Sequence, residues 1–193
     1  MKIENQMLNE GNNKLGKQDC DNSEIDKLTQ VYNQKDAERH ICDVLETNDA
    51  SGVSALILLD LDHFKEIIDM YGYVVGDIVL SNIASILKEK FDEDSIVGRL
   101  ENNEFIIFIH NIHKEPEAAR QILNNRFNQL LHQMRSFTFG DYSSHVSASV
   151  GIRLIQDVTT AFITLYHDAD TALDEAKKSG GDQFLFYQRE NKE

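Results

Sequence analysis

Hydrophobic and polar positions along this chain follow two periods, one typical of strands and one typical of helices. Val53 to Leu59 is an unbroken apolar run that ends at Asp60, which predicts a strand buried on both faces. From residue 74 to residue 90 the apolar residues recur at helical spacing, which predicts an amphipathic helix with one core-facing stripe. This stretch therefore supplies a central strand and a helix that packs against it.

A β-hairpin is predicted next along the chain. Residues 95–100 and 104–110 are two apolar segments separated by Glu101-Asn102-Asn103, and Asn is the non-glycine residue that best tolerates positive φ. The remaining periodic segments predict a helix over 119–134, a strand over 145–154, a helix over 162–178 and a short strand over 184–187.

With one helix before the first strand, the predicted order is helix, strand, helix, helix, hairpin, helix, strand, helix, strand. A hairpin inserted into an alternation of helices and strands favours an α/β (α+β) fold. We therefore expect a central, mixed, largely antiparallel five-stranded sheet flanked by helices.

The two ends of the chain differ from this core in composition. Residues 1–24 are rich in Asn, Gln, Glu and Lys, and their few apolar groups cannot offset the entropy of ordering. We expect a polar tail there, disordered or forming a short helix; an alternative is an amphipathic helix that pairs two chains. One domain is expected over 25–188, followed by a short tail over 189–193.

Composition and charge narrow the classes of function. Hydrophobic residues make up 41% of the 193 residues, which is enough for a packed core. The net charge of −14 repels phosphate backbones, so nucleic-acid binding is not expected. No apolar run approaches the roughly 20 residues of a membrane span, and the N-terminus lacks the pattern of a signal peptide. We expect a cytoplasmic protein.

Two small groups of metal-binding residue types do not form a predicted site. Cys20 and Cys42 lie too far apart for a CxxC motif and are interpreted as reduced thiols without a role. His110 and His113 form a close pair, but they lie where a strand runs into a loop containing Pro116. No Cys or carboxylate stands at ligand spacing, so an ordinary solvated loop is the better interpretation.

Several segments resemble the motifs of one family. Residues 26–33 (DKLTQVYN) are similar to the DxLTxxYNR opening of GGDEF domains, and residues 60–65 (DLDHFK) match the DxDxFK motif. Residues 71–80 (YGYVVGDIVL) are similar to the YGHxxGDxVL stretch. Residues 149–151 (SVG) resemble the SxG strand, and residues 168–177 (DADTALDEAK) resemble the closing ADxALYxAK helix. The resemblance implies the palm-like fold of GGDEF domains and nucleotidyl cyclases.

The resemblance also implies a metal-dependent nucleotide chemistry. A diguanylate cyclase joins two GTP molecules held by two facing domains, and the 3′-hydroxyl of one attacks the α-phosphate of the other. Mg²⁺ ligands are implied at Asp60 and at the backbone carbonyl of Leu61, with Asn103 at the third ligand position and Glu104 as the remaining acid of the signature loop. Nucleotide contacts are implied at Phe64, Lys65, Asp77, Arg99 and Lys177.

The signature loop departs from the family pattern, because residues 101–105 read ENNEF where the family has GGDEF. Asn103 offers a neutral oxygen but no charge to hold Mg²⁺. Glu101 and Asn102 replace two glycines that let the backbone pass close to the nucleotide. Glu101 also places a carboxylate near a polyanion, and like charges about 4 Å apart cost on the order of 4 kcal/mol at an effective dielectric near 20. An alternative is that Glu101 turns to replace the lost metal ligand.

Other family positions have changed as well. Ile68 stands where the family reads guanine with an Asn, and it cannot hydrogen-bond to the base; the alternative is that Ile68 packs in the core against the first helix. Gly181 stands where the family has a phosphate-binding Arg, and the retained Lys65 and Lys177 have the alternative of being solvated surface lysines. The RxxD product-inhibition motif would fall on residues 92–95 (DEDS), so feedback binding there is not expected.

The leading hypothesis is a degenerate GGDEF-domain protein of cyclic di-GMP signalling, catalytically inactive, with a weakened Mg²⁺ site and a regulatory or binding role. Its expected partners are GTP or another nucleotide, and a protein partner or a second copy of the chain. The alternative is an active diguanylate cyclase or a related nucleotidyltransferase with a non-standard site built from Asp60, Glu104 and Glu101. A third hypothesis is a purely structural partner of another signalling protein.

Overall fold

The structure is a computed structural model of the chain and describes residues 23–47, 51–91, 95–136, 138–139, 142–143, 146–157 and 159–188. The predicted tails, Cys20 and the acidic residues 92–94 lie outside the described residues, apart from Ser23 and Glu24. These two contact the domain, since the Asn33 side chain donates to the Ser23 carbonyl at 2.8 Å and Arg39 pairs with Glu24 at 2.8 Å. No helix in the described part of the chain is long and apolar enough to cross a membrane.

A mixed sheet runs through the middle of the domain. Its strands are β1 (Tyr32–Asn33), β2 (Val53–Leu61), β3 (Ser95–Arg99), β4 (Glu104–His113), β7 (Ala148–Ile155) and β8 (Phe184–Phe186). They lie in the order β1-β3-β4-β2-β7-β8, with parallel pairing at β1–β3 and β7–β8 and antiparallel pairing between. A separate small hairpin is formed by β5 (Thr138–Phe139) and β6 (Tyr142–Ser143).

The expectation of five strands is wrong by one, because the sheet has six. The additional strand is β1, which pairs with Gly98 and Arg99 at the end of β3. Two residues are too short to show a period of two, so the pattern of the sequence could not reveal this strand. The mixed, largely antiparallel character of the sheet is confirmed.

In the described part of the chain, five helices cover the two faces of the sheet. They are α1 (Gln34–Glu46), α2 (Phe64–Tyr71), α3 (Tyr73–Lys90), α4 (Pro116–Arg135) and α5 (Phe162–Lys178). The Asn33 side chain caps α1 by accepting from the Asp36 N–H, and Pro116 at the start of α4 has no N–H to leave unpaired. The predicted order of helices and strands is confirmed, except that β1 and the β5–β6 hairpin were not predicted.

The central strand β2 is buried on both faces, as its continuous apolar run predicts. Ala55, Ile57 and Leu59 belong to a core shared with α3 and α4, whereas Leu56 and Leu58 belong to a second core shared with α1 and α5. Successive side chains of a strand point to opposite faces, so one strand anchors both layers of helices.

The turn between β3 and β4 lies beside the end of β2. Asn102 has a φ of +49°, which confirms the prediction that an Asn supplies the left-handed conformation in this turn. The turn is closed by hydrogen bonds from Leu100 N–H to the Glu104 carbonyl and from Glu104 N–H to the Glu101 carbonyl, both 2.9 Å. This arrangement brings residues 101–104 next to Asp60 and Leu61.

Candidate functional site

The carboxyl end of β2 gathers the residues that the sequence predicts as metal ligands. Asp60 lies opposite Glu104 on β4 and opposite Ser149 on β7. Asp60 lies near the end of β2, at the rim of the sheet. Because β4 and β7 flank β2 on both sides, only 13% of the Asp60 side chain is exposed. A carboxylate so placed needs a partner to offset its lost hydration.

That partner is the ammonium group of Lys177, in the last turn of α5. Its Nζ lies 3.1 Å from Asp60 Oδ2. The sequence predicts that Lys177 contacts a phosphate. In the structure its ammonium group contacts the Asp60 carboxylate. Asp60 is therefore neutralised from within the chain.

The Leu61 carbonyl is also paired within the chain. The side-chain amide of Asn103 donates to it at 2.9 Å, and the Leu61 N–H lies 3.3 Å from the Asn103 carbonyl. Two carbonyl oxygens would repel at this distance, so Asn103 must present its nitrogen and not the oxygen expected of a metal ligand. The amide thus engages one of the two lone pairs of this oxygen.

Glu104 lies beside Asp60 and shares a hydrogen bond with it. Burial raises the pKa of the Glu104 carboxyl, and the negative charge of Asp60 raises this pKa further, while Lys177 offsets part of the effect. The shift follows from the cost of burying a carboxylate and of placing it beside a second one. The two acids and Lys177 therefore form one compact group of interacting charges.

A Glu104→Gln variant should be more stable than the wild type near neutral pH, and the difference should vanish in acid. The pKa of Glu104 is higher in the folded state than its ordinary value of 4.5, so the folded chain binds more protons between the two values. Its stability consequently falls as the pH rises through that window. Because Gln cannot ionise, the stability of the variant does not fall in this window.

Urea unfolding between about pH 4.5 and pH 8 would measure the effect. Glu101→Gln, at the exposed turn, serves as the control and should differ from the wild type by an amount that does not grow with pH. A Glu104→Gln variant that is less stable than the wild type at the upper end of this range would contradict the assignment.

These contacts do not fit a bound Mg²⁺. The ion takes oxygen ligands whose lone pairs point at it, and it favours carboxylates that are ionised. Here the Leu61 carbonyl accepts from the Asn103 amide, the Asp60 carboxylate is paired with the Lys177 ammonium group, and burial together with Asp60 raises the pKa of Glu104, which disfavours its ionised form. Within the described residues, no group of three or more His, Cys, Asp or Glu is placed to hold a metal ion.

A cleft of about 390 Å³ lies next to this group of residues. It is lined by Phe64, Lys65, Ile68, Asp69, Tyr73, Gly76, Asp77, Leu80, Arg99, Asn102 and Asn103. The structure thus brings the predicted nucleotide-binding residues together, except Lys177, which does not line the cleft. Ile68 packs against the core and against Gly76, in agreement with a packing role, so this wall of the cleft is apolar.

Arg99 lines the cleft but is held by the turn. Its Nε and Nη2 donate to the Asn102 carbonyl at 3.1 and 2.7 Å, and its Nη1 donates to Asp26 at 3.3 Å. Asp26 also accepts from the N–H and hydroxyl of Thr29, at 2.8 and 2.5 Å. The guanidinium therefore joins the start of the domain to the β3–β4 turn.

Asp62 is a structural residue of the site that the sequence analysis missed. Its carboxylate accepts from the Ser149 hydroxyl at 2.7 Å and from the Asp182 N–H at 2.8 Å. Gly181, with a φ of +72°, lies so close that an added Cβ would stand 3.2 Å from this carboxylate. Asp62 is the second acid of the motif at residues 60–65, which could have indicated its role. The partners of Asp62 are distant in sequence, so the motif alone did not identify them.

Comparison with known proteins adds a family to this geometry. The family model "Diguanylate cyclase, GGDEF domain" matches residues 23–183. An uncharacterized signaling protein of Caulobacter vibrioides is 30% identical over 169 residues, which are 87% of this chain and 20% of that protein. The chain therefore spans only about a fifth of the length of this relative.

Solved structures show the same fold. The GGDEF domain of DgcB from Caulobacter crescentus, in complex with c-di-GMP, is similar with a TM-score of 0.75 and 19% identity, covering 86% of this chain and 97% of that one. The diguanylate cyclase SiaD from Pseudomonas aeruginosa, in complex with its activator SiaC, is similar with a TM-score of 0.71 and 26% identity, covering 85% of this chain and 62% of that one.

Proposed function

The chain belongs to the GGDEF domain family of diguanylate cyclases, and from this premise we propose that it is a regulatory or binding module of cyclic di-GMP signalling that does not itself make the cyclic dinucleotide. Its proposed compartment is the cytoplasm, where GTP is available. Its proposed partner is a protein or a second copy of the chain.

One observation carries this proposal, namely the pairing of both preserved oxygen ligands within the chain. Joining two GTP molecules builds charge on a phosphate, and enzymes of this kind stabilise that charge with Mg²⁺. The Asn103 amide on the Leu61 carbonyl and the Lys177 ammonium on Asp60 compete directly with such an ion.

The turn beside the cleft supports the same proposal. Asn102 lines the cleft, and its carbonyl accepts a hydrogen bond from Arg99. Glu101 is exposed on the same turn and adds a negative charge where a triphosphate would approach. Both residues therefore disfavour the close approach of a polyanion.

An alternative function is that of an active cyclase or related nucleotidyltransferase with a non-standard site. The contact between Asp60 and Glu104 favours it, because two adjacent acids can hold a metal if Lys177 moves away. Lys65 and Asp77 also remain on the cleft and can contact a nucleotide.

Incubation of the purified chain with GTP and Mg²⁺ or Mn²⁺, followed by chromatography for cyclic di-GMP, distinguishes the two. We expect no product. Turnover that disappears in an Asp60→Ala variant would overturn the proposed function. Calorimetry with ATP, GTP, CTP and UTP, each with Mg²⁺, should show no heat that depends on Asp60; metal-dependent binding of one nucleotide would favour the alternative.

A further inference from the structure

A second cavity, of about 640 Å³, lies at the opposite end of β3 from the cleft. It opens between the carboxyl-terminal half of α1 and the sheet. Its walls are formed by Tyr32, His40, Asp43, Val44, Thr47, Ser95, Ile96, Phe108, His110 and Asn111. Neither the ion pair at Asp60 nor the β3–β4 turn takes part in it, so it is a separate feature of the molecule.

Aromatic rings line this cavity in two contacting pairs. The rings of Tyr32 and His40 have centroids 4.6 Å apart and are tilted by 47°, and those of Phe108 and His110 are 6.3 Å apart and nearly parallel at 17°. Phe108 is buried, with 1% of its surface exposed, so the partly exposed rings are those of Tyr32, His40 and His110. Ile96 adds an aliphatic surface to the lining. These rings suit a flat group that stacks on aromatic faces, and a cation gains most from this contact.

The electrostatics of α1 also favour a cation at this place. The carboxyl end of a helix carries partial negative charge and is normally complemented by basic residues. The last turns of α3, α4 and α5 each contain basic residues, whereas those of α1 and α2 contain none, and the end of α1 carries Asp43 and Glu46. A cation bound beside Asp43 would relieve this unfavourable arrangement.

The charge of nearby groups agrees with this conclusion. Among the described residues that line the cavity, none is Lys or Arg. The Arg39 guanidinium lies 3.4 Å from His40 Nε2, and its charge is paired with Glu24 and Asp36, each at 2.8 Å. Burial raises the pKa of the Cys42 thiol on the same helix, and Glu38, Glu46 and Asp43 raise it further. The field is therefore negative, which disfavours phosphate-bearing ligands.

We propose that this cavity binds an arginine side chain carried on a basic segment of a partner protein. A guanidinium is flat, stacks on aromatic faces, and forms two parallel hydrogen bonds to one carboxylate, here Asp43. Lysine shares the charge but neither the planarity nor the paired hydrogen bonds. The cavity is larger than one side chain needs, so residues next to the arginine also find room. The protein nature of the occupant rests on the proposed function; the cation site does not.

Titration of ¹⁵N-labelled protein with the peptide acetyl-Gly-Arg-Gly-amide tests the proposal. We expect saturable shifts of the backbone amides of Val44, Ile96 and His110, with an affinity of about 1 mM or better. The same peptide with citrulline, which has the shape of arginine without its charge, should bind about 10-fold more weakly, and so should the lysine peptide.

Variants locate the interaction. Asp43→Asn should weaken the binding of the arginine peptide about 10-fold, because a charged hydrogen-bond acceptor is lost. Asp174→Asn, an exposed acid on α5 whose carboxylate lies 3.9 Å from Lys178, is the matched control and should leave the affinity unchanged.

Three results would overturn the proposal. They are equal binding of the arginine and citrulline peptides, shifts confined to the cleft around Asp77, and tighter binding of the neutral planar ligand adenosine than of the arginine peptide. Cyclic di-GMP synthesis would overturn the proposed function without affecting these titrations, so the two failures are distinguishable.

Discussion

Replacing Gly151 by alanine is expected to remove most of the stability of the domain. Gly151 lies on β7 with α5 directly against it. An added Cβ would stand 2.0 Å from the Ala169 carbonyl oxygen, 2.4 Å from the Leu173 nitrogen and 2.9 Å from the Leu173 Cα. All three atoms are backbone, so the strain can be relieved only by moving the helix away from the sheet. We expect a loss of at least about 3 to 5 kcal/mol, because moving α5 would open the core that contains Ala169 and Leu173.

Equilibrium unfolding in urea measures this loss. Gly72→Ala is the matched control: a Cβ there has no described atom within 4 Å, but the φ of +83° is unfavourable for alanine. The control should lose about 1 to 2 kcal/mol. Equal midpoints for the two variants would show that α5 is not packed against β7 as closely as described here.

Replacing Asn103 by aspartate is expected to create a response to divalent metal ions that the wild type lacks. The change removes the amide that donates to the Leu61 carbonyl and places a third carboxylate beside Asp60 and Glu104. Without metal, repulsion between the acids should lower the stability of the variant. With metal at about ten times its dissociation constant, binding should restore about 1.4 kcal/mol.

Thermal unfolding with EDTA or with Mn²⁺ would detect this response. Asn102→Asp makes the same change of charge one residue earlier, where the side chain does not contact Leu61, and it should show no such gain. If Mn²⁺ stabilised the wild type as much as the Asn103→Asp variant, the Asn103 amide would not be what excludes the ion.

The fold could be predicted to the extent that burial leaves a pattern in the sequence. The run from Val53 to Leu59 predicted β2 correctly, because a strand between two layers of helices must be apolar at every position. Asn102 predicted the turn through its tolerance of positive φ. By contrast, β1 was not predicted. Its two residues are too few to show an alternating pattern, and they form a strand by pairing with β3.

The candidate site could be placed but not described from the sequence. Asp60 and Leu61 were expected at the end of β2, and they lie there. Which atom Asn103 turns toward Leu61 depends on a contact across 42 residues, and the interpretation that Asn103 offers its oxygen overlooked the neighbouring carbonyl. Lys177 likewise meets Asp60 only because α5 packs against β2 and β7. Motif positions thus predict where a side chain lies, while its partner is fixed by tertiary packing.

Binding of Mn²⁺ to the wild-type chain in the presence of GTP tests the central claim, that the preserved ligands are already paired within the chain. Electron paramagnetic resonance of free Mn²⁺ reports this binding directly. We predict that adding the protein removes no more free Mn²⁺ than GTP removes by itself. A protein-dependent loss of free Mn²⁺ that saturates at one ion per chain and disappears in Asp60→Ala would contradict the account.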